Sequence, residues 1–388
     1  MRESCELCHH ETLAPIYEPE RSTRGLKVYL CNHCGLVQSL PRIDRAPRRN
    51  AAVSGGADWG NVRYGKAFRT DAAMKALARH ADFNAGLSVL DVGSNRGSFA
   101  RAFLDAAPNS RLLALEPDER VADSCADIDR TELMVSRVED AALESERFDI
   151  VHSCHTIEHL AHPQDVLADH WRVLKPGGLL VLDAPNIAIL DEGDLIEEWF
   201  IDKHLYHFSA RTLIRMVRAA GFDVIEAPDA ADRANILIVA RKSDHAVRAR
   251  DDDPLEVAEA ERLIAAYGTT RARNLASLTA LAAEIAQMAP RKVAIWGAGR
   301  LFDSLVTHGG FEPAMLSALI DKHLKKYVAE RHGRALEAPE ALVKSQPGVV
   351  IVMSRGFAQE IADEAKALAP NAEIIFYSDL MARARQAA

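Results

Sequence analysis

The chain has 388 residues, 48% of them hydrophobic and 27% charged, with a formal net charge of −9. This is an ordinary balance for a globular protein, and the length suits two or three domains rather than one. The negative charge argues against binding of nucleic acid or acidic membranes by the whole protein, and no apolar run approaches the ~20 residues that span a bilayer.

The opening stretch, MRESCELCHH, lacks the apolar centre of a signal peptide, so the cytoplasm is the expected compartment. Four of the six cysteines fall in the first 34 residues as two CxxC pairs, Cys5–Cys8 and Cys31–Cys34, with 22 residues between them. Four thiolates at that spacing can close a tetrahedron around zinc, and the metal then supplies folding energy that so short a segment lacks. His9, His10 and His33 are alternative ligands, but four cysteines already complete a site. A thioredoxin-like redox pair needs a flanking βαβ unit, which is missing here. Free cysteines without metal are the competing reading. Residues 1–50 are therefore expected to form a zinc-binding domain. Arg42, Arg45, Arg48 and Arg49 follow as a basic run, read as a solvated linker with contact to a diphosphate as the alternative.

From 70 to 242 short apolar segments alternate with amphipathic ones. TDAAMKALARHA precedes SVLDVG, GSFARAFLDAA precedes RLLALEP, and then come FDIVHSC, QDVLADHWRVL, GGLLVLDAP, ARTLIRMVRAAG, FDVIEAPD and ANILIVARK. Strands alternating with helices predict a doubly wound, Rossmann-like α/β sheet. Residues 243–290 predict two long helices as a linker. Residues 291–388 repeat the α/β pattern, with KVAIWGAG, LSALIDK, GVVIVMS, a helix and EIIFYSD, and predict a second, smaller Rossmann-like domain.

In VLDVGSNRGSFARAF a strand carries Asp91 near its end and runs through Gly93-Ser94-Asn95-Arg96-Gly97 into a helix. Glycines there let the backbone approach a ligand and expose amide donors at a helix N-terminus. The next strand ends in Glu116, 19 residues after Gly97, a place suited to hold the two ribose hydroxyls of a nucleoside. The third glycine of a dinucleotide fingerprint is absent, which suits a ligand without a pyrophosphate.

Taken together, VLDVGSNRGSF, ALEP, FDIVHSCHTIEHLAHP and VLKPGGLLVLDAPN resemble the class I S-adenosylmethionine-dependent methyltransferases over residues 70–242. The resemblance implies that the Gly93–Gly97 turn binds the methionine part of the cofactor and that Glu116 takes the ribose. It also implies a cofactor site drawing on Asp91, Ser94, Asn95, Pro117 and Glu139, with Val138 to Asp140 beside the adenine, and Ser153 to His155 lining the methyl-transfer cleft. The order of the blocks, zinc knuckles through CNHCGLVQSLP, core, helical linker and a smaller domain opening on WGAG, is similar to that of the sugar C-methyltransferases. Those enzymes methylate a carbon of a nucleotide-linked deoxy-ketosugar.

The second glycine-rich turn carries Gly297, Gly299 and Arg300, and the following strand ends in Asp321. Alone this pattern points to a nicotinamide nucleotide, yet no partner for hydride transfer stands nearby. Contact with a nucleotide-sugar diphosphate and simple packing are the two readings kept for it.

Attack by carbon needs a base for a C–H proton beside a ketone; attack by oxygen needs only a hydroxyl proton removed. His155, His159, His204 and His207 are the candidates. His155 is placed at the cofactor and His159 as a packing residue. Alignment of HLYHFS with the resembled family puts His204 at the position of its base. Lys203 and Ile201 then replace the family's Glu and Tyr, and Asp202 or Glu198 are substitutes for the orienting carboxylate. Tyr206 is assigned as a donor to the substrate and His207 as structural. The expected activity is methylation of a nucleotide-linked sugar at carbon. The alternatives are O-methylation of a small hydroxylated metabolite and a non-catalytic binding scaffold.

Overall fold

The computed structural model describes residues 4–20, 22, 24–42, 67–118, 123–243, 251–326, 328–355 and 357–387. They divide into two compact units, one from within residues 1–52, 64–190 and 200–264, the other including 191–199 and 265–388. Arg45, Arg48 and Arg49 lie outside the described residues.

The first unit opens with β1 (Leu13–Tyr17), β2 (Lys27–Cys31) and β3 (Val37–Leu40), then α1 (Ala67–Leu77). The sheet expected from the apolar runs follows, with β6 as a strand the runs did not announce: β4 (Ser88–Val92), α2 (Ser98–Ala106), β5 (Arg111–Leu115), β6 (Thr131–Met134), β7 (Phe148–Cys154), α3 (Pro163–Val173) and β8 (Leu174–Pro185). After the two-residue β9 (Tyr206–His207) come α4 (Ala210–Ala219), β10 (Phe222–Glu226) and β11 (Asn235–Lys242). Seven strands form one sheet in the order β10-β11-β8-β7-β4-β5-β6. All five residues of β4 are buried, as befits a central strand covered by helices on both faces. The sheet reverses direction of growth between β4 and β7, and ligands of open α/β sheets bind beyond the carboxyl ends of such a pair.

The N-terminal segment does not stand apart as a domain of its own. β1, β2 and β3 form a sheet whose fourth strand is β9, through Val37 opposite His207 and Gln38 opposite Tyr206. Leu7, Leu26 and Leu36 share one buried apolar cluster with Leu205, Tyr206, Phe208 and Leu213. Arg42 likewise is not solvated: it pairs with the buried Glu6 at 2.9 Å and donates to Ser4 O. Ser209 caps α4, its hydroxyl accepting from Thr212 N while Thr212 Oγ1 accepts from Ser209 N, so the WFIDKHLYHFS stretch is held by a strand bridge and a helix cap.

The linker is one helix, α5 (Pro254–Gln287), rather than two. Pro254 at its first position and Asp253, whose side chain accepts from Glu256 N, start it. Gly268 interrupts nothing: a glycine costs about 1 kcal/mol within a helix, which the flanking Ala, Leu, Glu and Arg residues offset.

The second unit carries β12 (Val293–Trp296), α6 (Arg300–Gly309), β13 (Ala318–Ile320), β14 (Glu330–Arg331), β15 (Arg334–Glu337), α7 (Ala341–Ser345), β16 (Val349–Val352), α8 (Ala358–Leu368), β17 (Glu373–Phe376) and α9 (Tyr377–Ala387). Its strands order as β14-β15-β13-β12-β16-β17. The YSD of EIIFYSD starts α9 instead of ending the strand. Residues 193–197 are stapled within this unit: Arg355 binds Asp194 and Glu197, and Asn274 donates to Gly193 O and Leu195 O. No helix among the described residues is long and apolar enough to cross a membrane.

Candidate functional site

A cavity opens beyond the carboxyl ends of β4 and β7, lined by Asp91, Gly93, Ser94, Phe99, His152 and Cys154, with Arg69 and Thr70 from α1. Asp91 Oδ1 pairs with His152 Nδ1 at 2.7 Å, and the imidazole stacks on Phe99 at 3.6 Å. The other oxygen, Asp91 Oδ2, is buried without a hydrogen-bond partner. A buried carboxylate oxygen left bare costs about 1–3 kcal/mol or more unless a ligand satisfies it. A cationic or N–H-bearing ligand group therefore fits beside Asp91, as the ammonium of a methionine would.

The turn itself differs from expectation in one respect. Gly93 N and Ser94 N both donate to Leu115 O, Asn95 N donates to Glu116 Oε2 at 2.7 Å, and Gly97 N donates to Ser94 O. The first three amides tie the turn to Leu115 and Glu116 at the end of β5 and the fourth closes the turn on itself, so the turn contributes shape rather than donors. Gly97 is required by its φ of +71° and because a Cβ there would lie 2.5 Å from Ile128 Cδ1. Glu116 is 6% exposed, and its second oxygen accepts from Asp118 N. The two amides spend two of its roughly four acceptor sites and aim the carboxylate at the turn. Pro117 follows it, half-buried. On the helical turn Val138–Asp140, Val138 is buried while Glu139 and Asp140 are exposed.

Behind the cavity lies a polar circuit that the sequence did not announce. Arg69 Nε donates to Asp183 Oδ2 at 2.5 Å and its Nη1 to Asp232 Oδ2 at 2.6 Å. Burial pushes the Asp183 carboxyl up, with Arg69 pulling it back down; at the more open Asp232 burial is outweighed by Arg69 and the carboxyl sits low. Asn235 Nδ2 donates to Asp232 Oδ1, which turns the amide oxygen toward His155 Nε2 at 3.0 Å. His155 N closes the circuit on Asp183 O. Since a carboxylate can only accept, Asn235 Oδ1 must accept from His155, and the proton of the neutral imidazole sits on Nε2. His155 has a φ of +44°, a conformation an L-residue adopts only under constraint. The hint of this circuit in the sequence was Asp183, an acidic residue inside an apolar strand run.

Of the histidine candidates, His207 is structural as expected. It is 4% exposed, bonded through Nε2 to Ser39 Oγ at 2.9 Å, and burial lowers its pKa to about 3. Tyr206 requires a correction: it is 1% exposed and its hydroxyl donates to Ala161 O at 2.8 Å, so core packing and a backbone acceptor occupy the group assigned to substrate. The carboxylates foreseen as helpers are engaged elsewhere, Asp202 accepting from Ser22 Oγ and Glu198 from Tyr267. His204 instead meets residues of the turn after β7. The His204 and His159 rings lie 4.9 Å apart, and one carboxylate oxygen of Glu158 and one ring nitrogen from each of His159 and His204 fall within 4.8 Å of one another. Leu205 N donates to Glu158 O at 2.7 Å, latching the two segments together.

The four N-terminal cysteines converge. Cys5 Sγ is 3.5 Å from Cys34 Sγ, Cys8 Sγ is 3.6 Å from Cys31 Sγ, all four lie within 4.8 Å, and none is disulfide-bonded. A metal–sulfur bond of ~2.3 Å implies tetrahedron edges of about 3.8 Å, so the quartet has the dimensions of a zinc site.

In the second unit the WGAG turn is built for packing. A Cβ at Gly297 would lie 2.4 Å from Met353 O, and Asp321 accepts from Ala298 N, His323 N and Leu324 N. The acidic residue that would hold a ribose in a nicotinamide site thus serves the chain's own backbone.

Residues 65–227 match a family model described as a methyltransferase domain. A Mycobacterium bovis protein named as an uncharacterized methyltransferase is 37% identical over 108 residues, 27% of this chain and 42% of that protein. A Mycolicibacterium smegmatis protein whose name reads "Probable S-adenosylmethionine-dependent methyltransferase" is 30% identical over 142 residues, 36% of this chain and 53% of its own. The chain thus spans about half or less of these relatives. Among solved structures, a SAM-dependent methyltransferase from Aquifex aeolicus is similar at 15% identity and a TM-score of 0.40, covering 49% of this chain and 99% of that one.

Proposed function

We propose that the methyltransferase domain of residues 65–227 uses S-adenosylmethionine to methylate a sugar, nucleotide-linked, at a carbon beside a ketone, with His204 as the base and a structural zinc on Cys5, Cys8, Cys31 and Cys34. The domain match takes the place of the scaffold reading. The cofactor reading is carried by Asp91: a buried, unsatisfied carboxylate oxygen at the end of β4, in a cavity shaped by Gly93 and Ser94. Bound there, S-adenosylmethionine supplies a methyl on a sulfonium whose sulfur leaves neutral, so its departure needs no assistance.

The chain's task is to align the acceptor and remove its proton. His204 takes a proton from the carbon next to the ketone, leaving the electron pair as an enolate. That pair then forms the new carbon–carbon bond to the donated methyl. Near neutral pH an imidazole suits this task, and His204 sits in the segment latched to the turn after β7. Oxygen methylation is the second reading, favoured by Ile201 and Lys203 where the resembled family has Tyr and Glu.

Isothermal calorimetry with S-adenosylmethionine and S-adenosylhomocysteine tests the cofactor site. Both are expected to bind, and Asp91→Asn to weaken S-adenosylmethionine by about 10-fold or more, the worth of a charge-assisted hydrogen bond. Failure of both ligands to bind sinks the reading. Incubation of nucleotide-linked ketosugars in deuterated solvent then separates the chemistries: exchange beside the ketone, lost in His204→Gln, marks the enolate route, and methyl transfer without exchange marks oxygen.

A further inference from the structure

The resembled family orients its base with a carboxylate one residue before it, and here that place is Lys203. The fold brings another carboxylate to the same imidazole from a different element. Glu158 lies 46 positions earlier in the helical turn Ile157–His159. It is 1% exposed, and one of its carboxylate oxygens lies within 4.8 Å of a ring nitrogen of His204 and of a ring nitrogen of His159. Its backbone oxygen takes Leu205 N at 2.7 Å, so side-chain proximity rests on a main-chain bond beside His204.

His159 completes the arrangement. Its Nδ1 is 3.0 Å from Lys203 O, and since a carbonyl only accepts, Nδ1 carries a proton. Nε2 then faces Glu158 Oε1 at 3.5 Å. One buried carboxylate thus stands beneath two half-buried imidazoles.

Resting on the reading of His204 as the base, we propose that Glu158 is its positioning residue, the carboxylate that stabilises the imidazolium formed when His204 accepts the substrate proton. A negative charge this close, shielded from water, favours the protonated ring and raises the proton affinity of the base. His159 competes for the same charge and sets how much of it His204 receives. The ionisable groups placed near His204 include Glu158 and His159 from the turn, with Asp202 and Lys203 beside it in sequence; Asp202 is held by Ser22 at 2.6 Å.

The coupling itself is read without an acceptor. Histidine side chains of the full chain, labelled with nitrogen-15, are titrated by NMR in wild type, Glu158→Gln and His159→Gln, with His204→Gln for assignment. Glu158→Gln keeps the side-chain size, and the His204 midpoint is expected to fall by roughly one to two pH units. A midpoint within about 0.3 unit of wild type overturns the proposal. Should Glu158→Gln not fold, His159→Gln decides: with a competitor removed the His204 midpoint stays or rises, and a fall overturns the coupling to Glu158. A divalent ion beyond that on the four cysteines, lost in Glu158→Gln by metal analysis, would make the trio a metal site and also overturn it. If the midpoint shifts as expected while His204→Gln retains acceptor exchange, the base assignment fails and the Glu158–His204 coupling stands.

Discussion

His207 makes the fold acid-sensitive in a way that can be calculated. Burial between β3 and the surrounding apolar cluster lowers its pKa from 6.5 to about 3. The folded chain therefore keeps the ring neutral, while the unfolded chain protonates it below about pH 6.5. Stability from this site is complete above that pH and is lost as the pH falls toward about 3. Between pH 7.5 and pH 5 the unfolded state gains about 1.5 pK units of proton binding that the folded state lacks, worth about 2 kcal/mol. Urea unfolding of wild type and His207→Gln at both values measures it. The variant loses the Ser39 bond and the edge-on contact with Phe200 at 4.7 Å, so it starts lower at pH 7.5. Its further loss at pH 5 should nonetheless be about 2 kcal/mol smaller than that of wild type. The cysteine quartet and the buried His170, also lowered by burial, to about 4, are common to both chains and cancel. Equal losses in the two proteins would refute the argument.

Arg69→Ala leaves Asp183, 1% exposed, without its cation, and removal of one partner of such a buried pair costs about 3–5 kcal/mol, readable by urea titration. Gly97→Ala forces a left-handed φ on a side chain whose Cβ meets Ile128 and Cys125; a loss of about 1–3 kcal/mol and weaker S-adenosylmethionine binding by calorimetry are expected. Metal analysis of the double variant Cys5→Ser, Cys31→Ser should show loss of about one zinc per chain, and unchanged content would refute the four-cysteine site.

What the sequence made legible was local. Apolar runs such as SVLDV and FDIVHSC announced buried strands because each is short, β-rich and bounded by breakers, and six of the seven strands of the sheet follow from them; β6, the four-residue edge strand TELM with no fully buried residue, does not. The quartet of cysteines was legible from spacing alone. Partnerships across long separations were not. The bond from Ser39 to His207 spans 168 positions, and nothing in VQSL or LYHF records that the two pair. For the same reason Tyr206 looked like a functional donor when its hydroxyl is used by Ala161, and nothing in FDIVHSCHTIEHLAHP records that Glu158 meets His204. The amides of the first glycine turn illustrate a different limit: residue type set the φ values, while the choice between ligand and Leu115 as acceptor depends on where β5 ends. The single helix α5 shows weak local signals yielding to continuous propensity, since one glycine among helix formers does not make a break.

The two residues of β9 bear on how this protein can be cut. The family match begins at residue 65, which invites a shortened expression clone that starts there. Such a piece lacks β1, β2 and β3, and Tyr206 and His207 become an unpaired ladder edge. Leu205, Phe208 and Leu213 would lose the leucines that cover them on the N-terminal side. Exposed edges beside uncovered apolar side chains are the usual seed of aggregation. The smallest soluble fragment bearing the methyltransferase sheet is therefore expected to retain the cysteine knuckles.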